Sequence, residues 1–182
     1  MALSKLVRPP SESIMNSLKV APITCASGKD LGVDGFNVLI TIESALRGEV
    51  VYICSDGVVR DLSLAYSSYR PSEKFEESVR LLKEIVEEIK PRSTTIYLDS
   101  PVSGSGQIAS RMRSLLGDLA EVTTSKRVDS DILKHEVVAS SDSLIISRAK
   151  CVVDLPRRAL ERVGISPKPL FPLEGQILGL ED

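Results

Sequence analysis

Aspartates follow four short, largely apolar segments of this chain, where each segment gives way to a helix-like pattern. These aspartates are Asp34 after "DLGV", Asp99 after "TTIYL", Asp129 in "RVDSD" and Asp142 after "EVVASS". Carboxylates within a few Å of one another repel and raise their own pKa values unless a cation lies between them. Oxygen ligands without His or Cys favour Mg²⁺ or Mn²⁺. If the fold brings the four side chains together, the pattern predicts a divalent metal site.

The aspartates can meet only if the segments before them are neighbouring parallel strands. From about residue 30, strand-like runs alternate with helix-like segments, the clearest being 71–90, where Phe75, Val79 and Leu82 recur at steps of three and four. Such alternation predicts a mostly parallel sheet with helices on both faces. Ligands bind beyond the carboxyl ends of such strands. We therefore expect a three-layer α/β/α fold with its site at that edge.

Three segments fall outside this alternation. Residues 1–29 are weakly patterned and predict an N-terminal arm, or an incomplete extra element, before a domain at 30–165. The stretch "EVVYICSDGVVRDLSL" predicts a β-hairpin inserted after the first helix, with Asp56-Gly57 as its tight turn. Residues 166–182 contain three prolines and predict an extended tail.

Composition bounds the function classes. The chain has 182 residues, 42% hydrophobic and 26% charged, with a formal net charge of -2. This charge provides no basic field for tight, non-specific nucleic-acid binding, but it is compatible with an enzyme that meets a phosphodiester through metal ions. The three cysteines lack metal-site spacing and predict buried, reduced thiols. With no apolar run of about 20 residues and no signal-peptide core, we expect a cytoplasmic protein without a membrane segment.

Each aspartate also has a structural alternative, because aspartate is a favoured helix N-cap. Ser, Thr and Asn would serve equally well as caps, so four aspartates in this position favour the metal site. Asn37 lies in the first turn of the following helix and is expected to orient Asp34 or a bound water. Glu43, two turns along, is either a further site acid or a solvated helix residue, and the second interpretation is favoured.

Four motifs in order resemble those of the PIN-like superfamily: "VDGFNV", "YLDSPVSGSG", "RVDSDIL" and "VVASSDSLIIS". The NYN branch is the most similar, with an Asp-Gly-x-Asn after the first strand and a late Ser/Thr-Ser-Asp. More closely, "DGFNVLITIESAL", "SDGVVRD" and "LDSPVSGSG" resemble an uncharacterised, largely archaeal family of PIN-like proteins. The resemblance covers about residues 30–165.

The resemblance implies a Mg²⁺- or Mn²⁺-dependent endoribonuclease, with RNA favoured over DNA as substrate and a homodimer as a possible assembly. It implies that Asp34 is the first-strand ligand, with Asn37 as its companion, and that Asp99 is the mid-chain acid. Asp129 matches the acid that stands three residues before Ile132. Asp142 matches the late acid, and the neighbouring Ser140 and Ser141 would ligate the metal or donate hydrogen bonds to a phosphate. Asp131 competes with Asp129, since helix positions two apart do not share a face. Asp129 is favoured, which leaves Asp131 solvated.

Two further segments offer candidate substrate contacts. The loop "SPVSGSGQ" before a helix is able to cradle a phosphate through Ser103 and Ser105, although it lacks the Gly-Lys-Ser/Thr of a Walker motif. In the hairpin, Arg60 and Asp61 either project to the site or pair with each other. Two other functions fit the same residues: a catalytically inactive PIN-like module that binds RNA or regulates, and a small-molecule phosphohydrolase.

Overall fold

Strands and helices alternate along the part of the chain that this computed structural model describes, residues 9–62 and 69–170. The strands are β1 (Val20–Ala21), β2 (Asp30–Asp34), β3 (Val51–Ile53), β4 (Val59–Asp61), β5 (Ser93–Asp99), β6 (Glu121–Ser125), β7 (Val137–Ala139), β8 (Val152–Val153) and β9 (Lys168–Pro169). The helices are α1 (Pro10–Ser17), α2 (Gly35–Leu46), α3 (Phe75–Ile89), α4 (Ser105–Leu116), α5 (Val128–Ile132), α6 (Ser143–Arg148) and α7 (Leu155–Arg162).

Six of these strands form one central sheet in the order β1-β8-β7-β2-β5-β6. All of its neighbouring strands pair in parallel. Strand β2 lies between β7 and β5, and its residues Leu31 and Val33 are fully buried. A parallel strand inside a sheet is covered on both faces, which explains why "DLGV" reads as an apolar run.

Helices cover both faces of the sheet. On one face α2, α3, α4 and α7 enclose the larger core, which includes Phe36, Phe75, Leu82 and Met112. On the other face α5 and α6 contribute to a smaller cluster, which includes Ile132, Ile145, Ile146 and Val152. The expected three-layer α/β/α fold is therefore confirmed. Within the described residues, no helix combines the length and the apolar character needed to cross a bilayer.

The predicted hairpin is present as a small second sheet. Strands β3 and β4 pair antiparallel across a turn in which Gly57 has φ +81°. A positive φ strains any residue with a Cβ, which explains the glycine. The hairpin packs through Val51 and Val59 against Ala45 of α2 and Leu160 of α7. Strand β9, in the predicted tail, pairs with β3, whereas residues 171–182 lie outside the described part of the chain.

The main sheet extends into the segment that was expected to form an N-terminal arm. Strand β1 pairs with β8 at the edge of the sheet, and α1 packs beside α6. Asn16 Nδ2 donates to the carbonyl of Ser143 over 3.4 Å, and Lys19 Nζ donates to the carbonyl of Ile146 over 3.4 Å. Residues 10–26 are thus joined to the domain, while residues 1–8 lie outside the described ranges.

Gly35 marks the point where β2 passes directly into α2, against strand β5. A Cβ at this position would lie 2.5 Å from Leu98 Cδ2 and 2.9 Å from the carbonyl oxygen of Tyr97. We expect Gly35→Ala to lower the free energy of unfolding by about 1–3 kcal/mol, because overpacking here displaces backbone. Urea denaturation measures the change. Gly106→Ala is the matched control: a Cβ there meets nothing within 4 Å, so equal destabilisation by both variants would contradict the account.

Candidate functional site

The strands that end in the predicted site residues lie side by side in the sheet. Strand β2 has β7 on one side and β5 on the other, and β6 follows β5. Asp34 is in register with Tyr97, and Asp99 is in register with Ser125. The ends of β7, β2, β5 and β6 therefore form one continuous boundary, here called the carboxyl edge.

Asp34 is the most buried acid at the carboxyl edge, with a side chain held by two neighbours. Its residue exposure is 1%, and it caps α2. Its Oδ2 accepts hydrogen bonds from Asn37 Nδ2 at 2.6 Å and from Ser140 Oγ at 2.8 Å. The backbone N–H of Asn37 makes a longer bond of 3.5 Å to Oδ1. Asn37 thus orients Asp34, and Ser140 ties β2 to the end of β7.

Burial raises the pKa of Asp34 to about 6, well above its ordinary value. The hydrogen bonds from Asn37 and Ser140 oppose this rise, whereas the negative charge of Asp99 adds to it. Asp34 and Asp99 therefore interact across neighbouring strands. A cation between the two carboxylates would relieve both the desolvation and the repulsion.

Asp142 begins α6, and its side chain caps that helix. Its Oδ1 accepts the backbone N–H of Leu144 at 2.7 Å and that of Ile145 at 3.4 Å. Its own N–H donates to Ser140 Oγ over 3.0 Å. Because Ser140 in turn donates to Asp34, the network connects the two aspartates. Asp142 is thus an N-cap, but both of these bonds use Oδ1, so Oδ2 is the oxygen suited to a ligand.

The hairpin supports the site through Arg60. Its Nε donates to the carbonyl oxygen of Ser141 over 2.6 Å, and its two terminal nitrogens donate to the Asp56 carboxylate at 2.7 and 2.6 Å. Arg60 is 6% exposed and Asp56 is 1% exposed. Asp61 instead accepts a hydrogen bond from Thr41 Oγ1 at 3.1 Å. Arg60 therefore fixes the loop before Asp142 through its carbonyl rather than presenting its charge to solvent.

Helix α5 carries the competing pair of aspartates, and they differ in environment. Asp131 Oδ2 accepts from Ser125 Oγ at 2.6 Å, at the end of β6, and Oδ1 forms an ion pair of 2.7 Å with Lys134. These two contacts lower the pKa of Asp131, with the Lys134 contact the larger cause. Asp131 is therefore partly exposed, with a side-chain exposure of 29%, and is held by both Ser125 and Lys134. Asp129 is exposed on the same helix.

Glu43 belongs to the buried side of α2. It is 2% exposed and accepts hydrogen bonds from the Tyr69 hydroxyl and from both the backbone N–H and the hydroxyl of Ser72. The favoured interpretation of a solvated helix residue is therefore wrong. Its bonds fasten the segment that leads into α3 onto α2, a structural role.

The serine loop after β5 leads into α4. Gly104, with φ +79°, precedes the first helical residue, and Ser103 is exposed. Ser105 is buried, and its Oγ donates to the carbonyl of Ser100 over 3.3 Å. The Ser105 hydroxyl therefore closes the loop, which leaves Ser103 and backbone N–H groups as the candidate contacts for a phosphate.

Sequence reasoning missed a fifth strand-end aspartate, Asp154. It follows β8 as Asp34 follows β2, and burial raises its pKa. Its Oδ2 accepts the Val59 N–H and its Oδ1 accepts the Arg157 N–H, both at 2.9 Å. Asp154 thus joins the hairpin to α7. The signal was available in "VVDLPRRAL", which repeats the strand, aspartate and helix pattern.

Oxygen donors dominate the centre of the carboxyl edge. The Asp34 carboxylate contacts the amide of Asn37 and the hydroxyl of Ser140, and Asp99 ends the neighbouring strand β5. Among the described residues, no three His, Cys, Asp or Glu side chains converge closely enough to hold a metal ion by themselves. Mg²⁺ usually retains several waters and takes only one or two carboxylates. The donor set around Asp34 and Asp99 fits this mode of binding.

Comparison with known proteins assigns the chain to a family. The model of a family described as "Domain of unknown function (DUF5616)" matches residues 23–158, which include the carboxyl edge. An uncharacterised protein of Methanocaldococcus jannaschii is 37% identical over 139 residues, 74% of this chain and 66% of that protein, so the chain spans just under two thirds of this relative. No solved structure matches the chain. Since the matched segment covers well over half of its length, the chain belongs to the DUF5616 family.

Proposed function

We propose that this protein is a PIN-like, Mg²⁺- or Mn²⁺-dependent endoribonuclease with its active site at the carboxyl edge. The observation that carries the proposal is the buried Asp34 carboxylate at the end of β2, beside β5, the strand that ends in Asp99. A fully buried carboxylate beside a second acid is unfavourable in the folded chain without a cation. Hard oxygen donors at the carboxyl ends of parallel strands support a metal-dependent hydrolase. The proposal includes a cytoplasmic location and is compatible with a homodimer.

The residues of the site divide into ligands and positioning groups. Asp34 would bind the ion through Oδ1, because Asn37 and Ser140 hold its Oδ2. Asp99 would supply a second carboxylate, and Asp142 would supply Oδ2, directly or through water. A bound Mg²⁺ or Mn²⁺ polarises the phosphoryl oxygen and lowers the pKa of a water for in-line attack.

Helix α5 would add a further acid to the metal site, and the serine loop would complete the substrate side. Asp131 has the stronger claim to the role first given to Asp129, because Ser125 holds it at the end of β6. The twelve-residue helix α4 begins just beyond β5, so its N-terminal N–H groups and Ser103 are suited to an RNA phosphate. Arg60 holds the Ser141 carbonyl and so positions the loop that carries Ser140 and Asp142.

An RNA cleavage assay tests the proposal. We expect wild-type protein to cut a fluorescently labelled single-stranded RNA in Mn²⁺ and to stop when EDTA is added. We expect Asp34→Asn and Asp99→Asn to lower the rate by roughly 100-fold or more, since loss of an outer-shell group alone costs about 10–100-fold. Asp118→Asn, the same change at an exposed acid outside the carboxyl edge, is the matched control. Equal rates in all three variants would contradict the proposal.

An inactive RNA-binding or regulatory module is the second candidate, and the contacts of two acids favour it. Asp142 accepts two backbone N–H groups as a cap, and Asp131 is paired with Lys134. Carboxylates already bonded within the chain need no metal. This function predicts RNA binding without cleavage and with no difference between Mn²⁺ and EDTA. Fluorescence anisotropy with the same labelled RNA separates the two functions.

A further inference from the structure

Two cysteines that are far apart in the sequence touch in the fold. Cys25 lies in a 3-10 helix, Ile23–Ala26, and Cys151 directly precedes β8. Their Sγ atoms are 3.2 Å apart, although the residues are separated by 126 positions. Cys54 is buried, as expected of all three thiols, but Cys25 and Cys151 are only half-buried.

The two sulfurs differ in their surroundings. Lys29 Nζ lies 3.6 Å from Cys25 Sγ and donates a hydrogen bond to it, so a cationic group lies beside this sulfur. Burial, and then the neighbouring Cys25 sulfur, raise the pKa of Cys151 to about 11. At neutral pH Cys151 therefore remains a thiol, and we assign the first attack to Cys25, the sulfur beside the Lys29 ammonium group.

We propose that Cys25 and Cys151 are a redox site, in which exchange with a low-molecular-weight disulfide joins the two residues by a reversible disulfide bond. Cys25 gives up its proton and attacks one sulfur of that disulfide, whose S–S bond breaks and releases one thiolate. Cys151 then loses its proton, attacks Cys25 Sγ in the mixed disulfide and displaces the second small thiol. The chain loses two electrons and two protons, and the small disulfide gains them as two thiols.

The bond would fasten the N-terminal segment to the edge of the sheet. Cys25 follows β1, and Cys151 precedes β8, the strand with which β1 pairs. That pairing contains only Val20–Val152 and Ala21–Val153, so a covalent link here adds to a short contact. Closing a loop of 126 residues restricts the unfolded chain strongly. We expect the midpoint of thermal unfolding, Tm, to rise by roughly 5–15 °C on oxidation.

Thiol counting after exchange with oxidised glutathione tests the proposal. The reduced chain carries three cysteines, so iodoacetamide labels all three after denaturation. We expect the oxidised chain to take one label, at Cys54, to lose two hydrogen atoms in mass and to regain three labels after dithiothreitol. A peptide map is expected to show Cys25 joined to Cys151. The accompanying Tm shift is measured on the same samples.

Matched serine variants separate this pair from general thiol oxidation. Cys54→Ser should form the bond and show the full Tm shift, whereas Cys25→Ser and Cys151→Ser should show neither. Circular dichroism establishes that each variant is folded. Three free thiols after exchange, a stable glutathione adduct on Cys25, or protection of Cys54 instead would each overturn the proposal.

Discussion

Replacing Arg60 with methionine is expected to lower the free energy of unfolding by about 3–5 kcal/mol, the effect of breaking a buried ion pair. Methionine retains much of the length and apolar stem of arginine but leaves the Asp56 carboxylate buried without its cation. It also removes the N–H that Arg60 donates to the Ser141 carbonyl. The change therefore weakens both the hairpin and the loop that precedes Asp142.

Urea denaturation of three variants isolates the charge effect. Arg60→Met combined with Asp56→Asn should recover much of the loss, because no uncompensated charge remains. The side-chain carbonyl of the introduced asparagine can still accept the Val58 N–H that Asp56 accepts now. Arg80→Met, which removes an exposed ion pair with Glu76, should change stability by less than about 1 kcal/mol. Similar effects of Arg60→Met and Arg80→Met would show that the pair at Asp56 is not buried.

The second large effect is a gain in stability when Asp34 is replaced by asparagine in metal-free protein. The pKa of Asp34 in the folded chain is about 6, against 3.8 for the ordinary side chain. The folded chain therefore binds the proton of the Asp34 carboxyl group more tightly than the unfolded chain does. The stability that this protonation contributes is lost as pH rises from about 4 to above 6. This difference in pKa corresponds to about 3 kcal/mol at pH 8, which is the upper bound for the stability that Asp34→Asn gains.

Unfolding free energies measured in EDTA between pH 4 and 8 check this sign. The advantage of Asp34→Asn over wild type should be small near pH 4 and should grow up to about pH 7. Asp118→Asn, at an exposed acid, provides the control for a lost negative charge. If the stability advantage of Asp34→Asn does not change with pH, burial does not raise the pKa of Asp34 in the folded chain.

The helices, the strands and their ends could be predicted, because hydrophobic periodicity and the residues that end a strand are both visible within a short segment of sequence. The positions of Asp34, Asp99 and Asp142 at the carboxyl edge followed from alternation alone. The burial of Glu43 could also have been predicted from the sequence. The segment "FNVLITIESAL" is apolar on nearly all sides, and a helix of that kind is buried. A charge in such a helix needs a partner inside the protein, here Tyr69 and Ser72.

Long-range partners could not be predicted in this way. Nothing in the sequence near Arg60 indicates that its Nε meets Ser141, which is 81 positions away. The choice between Asp129 and Asp131 depended on where Ser125 lies, and thus on how α5 packs against β6. Strand β1 was missed because two residues carry too little pattern to register as a strand.

Crystals of wild-type protein and of Asp34→Asn, soaked in Mn²⁺ and measured for anomalous scattering, test the central claim most directly. The account predicts a peak beside Asp34 and Asp99 in the wild type that is absent from the variant. It also predicts that the fold around Asn37 and Ser140 is unchanged in both. A wild-type crystal with no peak at the carboxyl edge in millimolar Mn²⁺ would contradict the metal site and leave Asp34 as a helix cap.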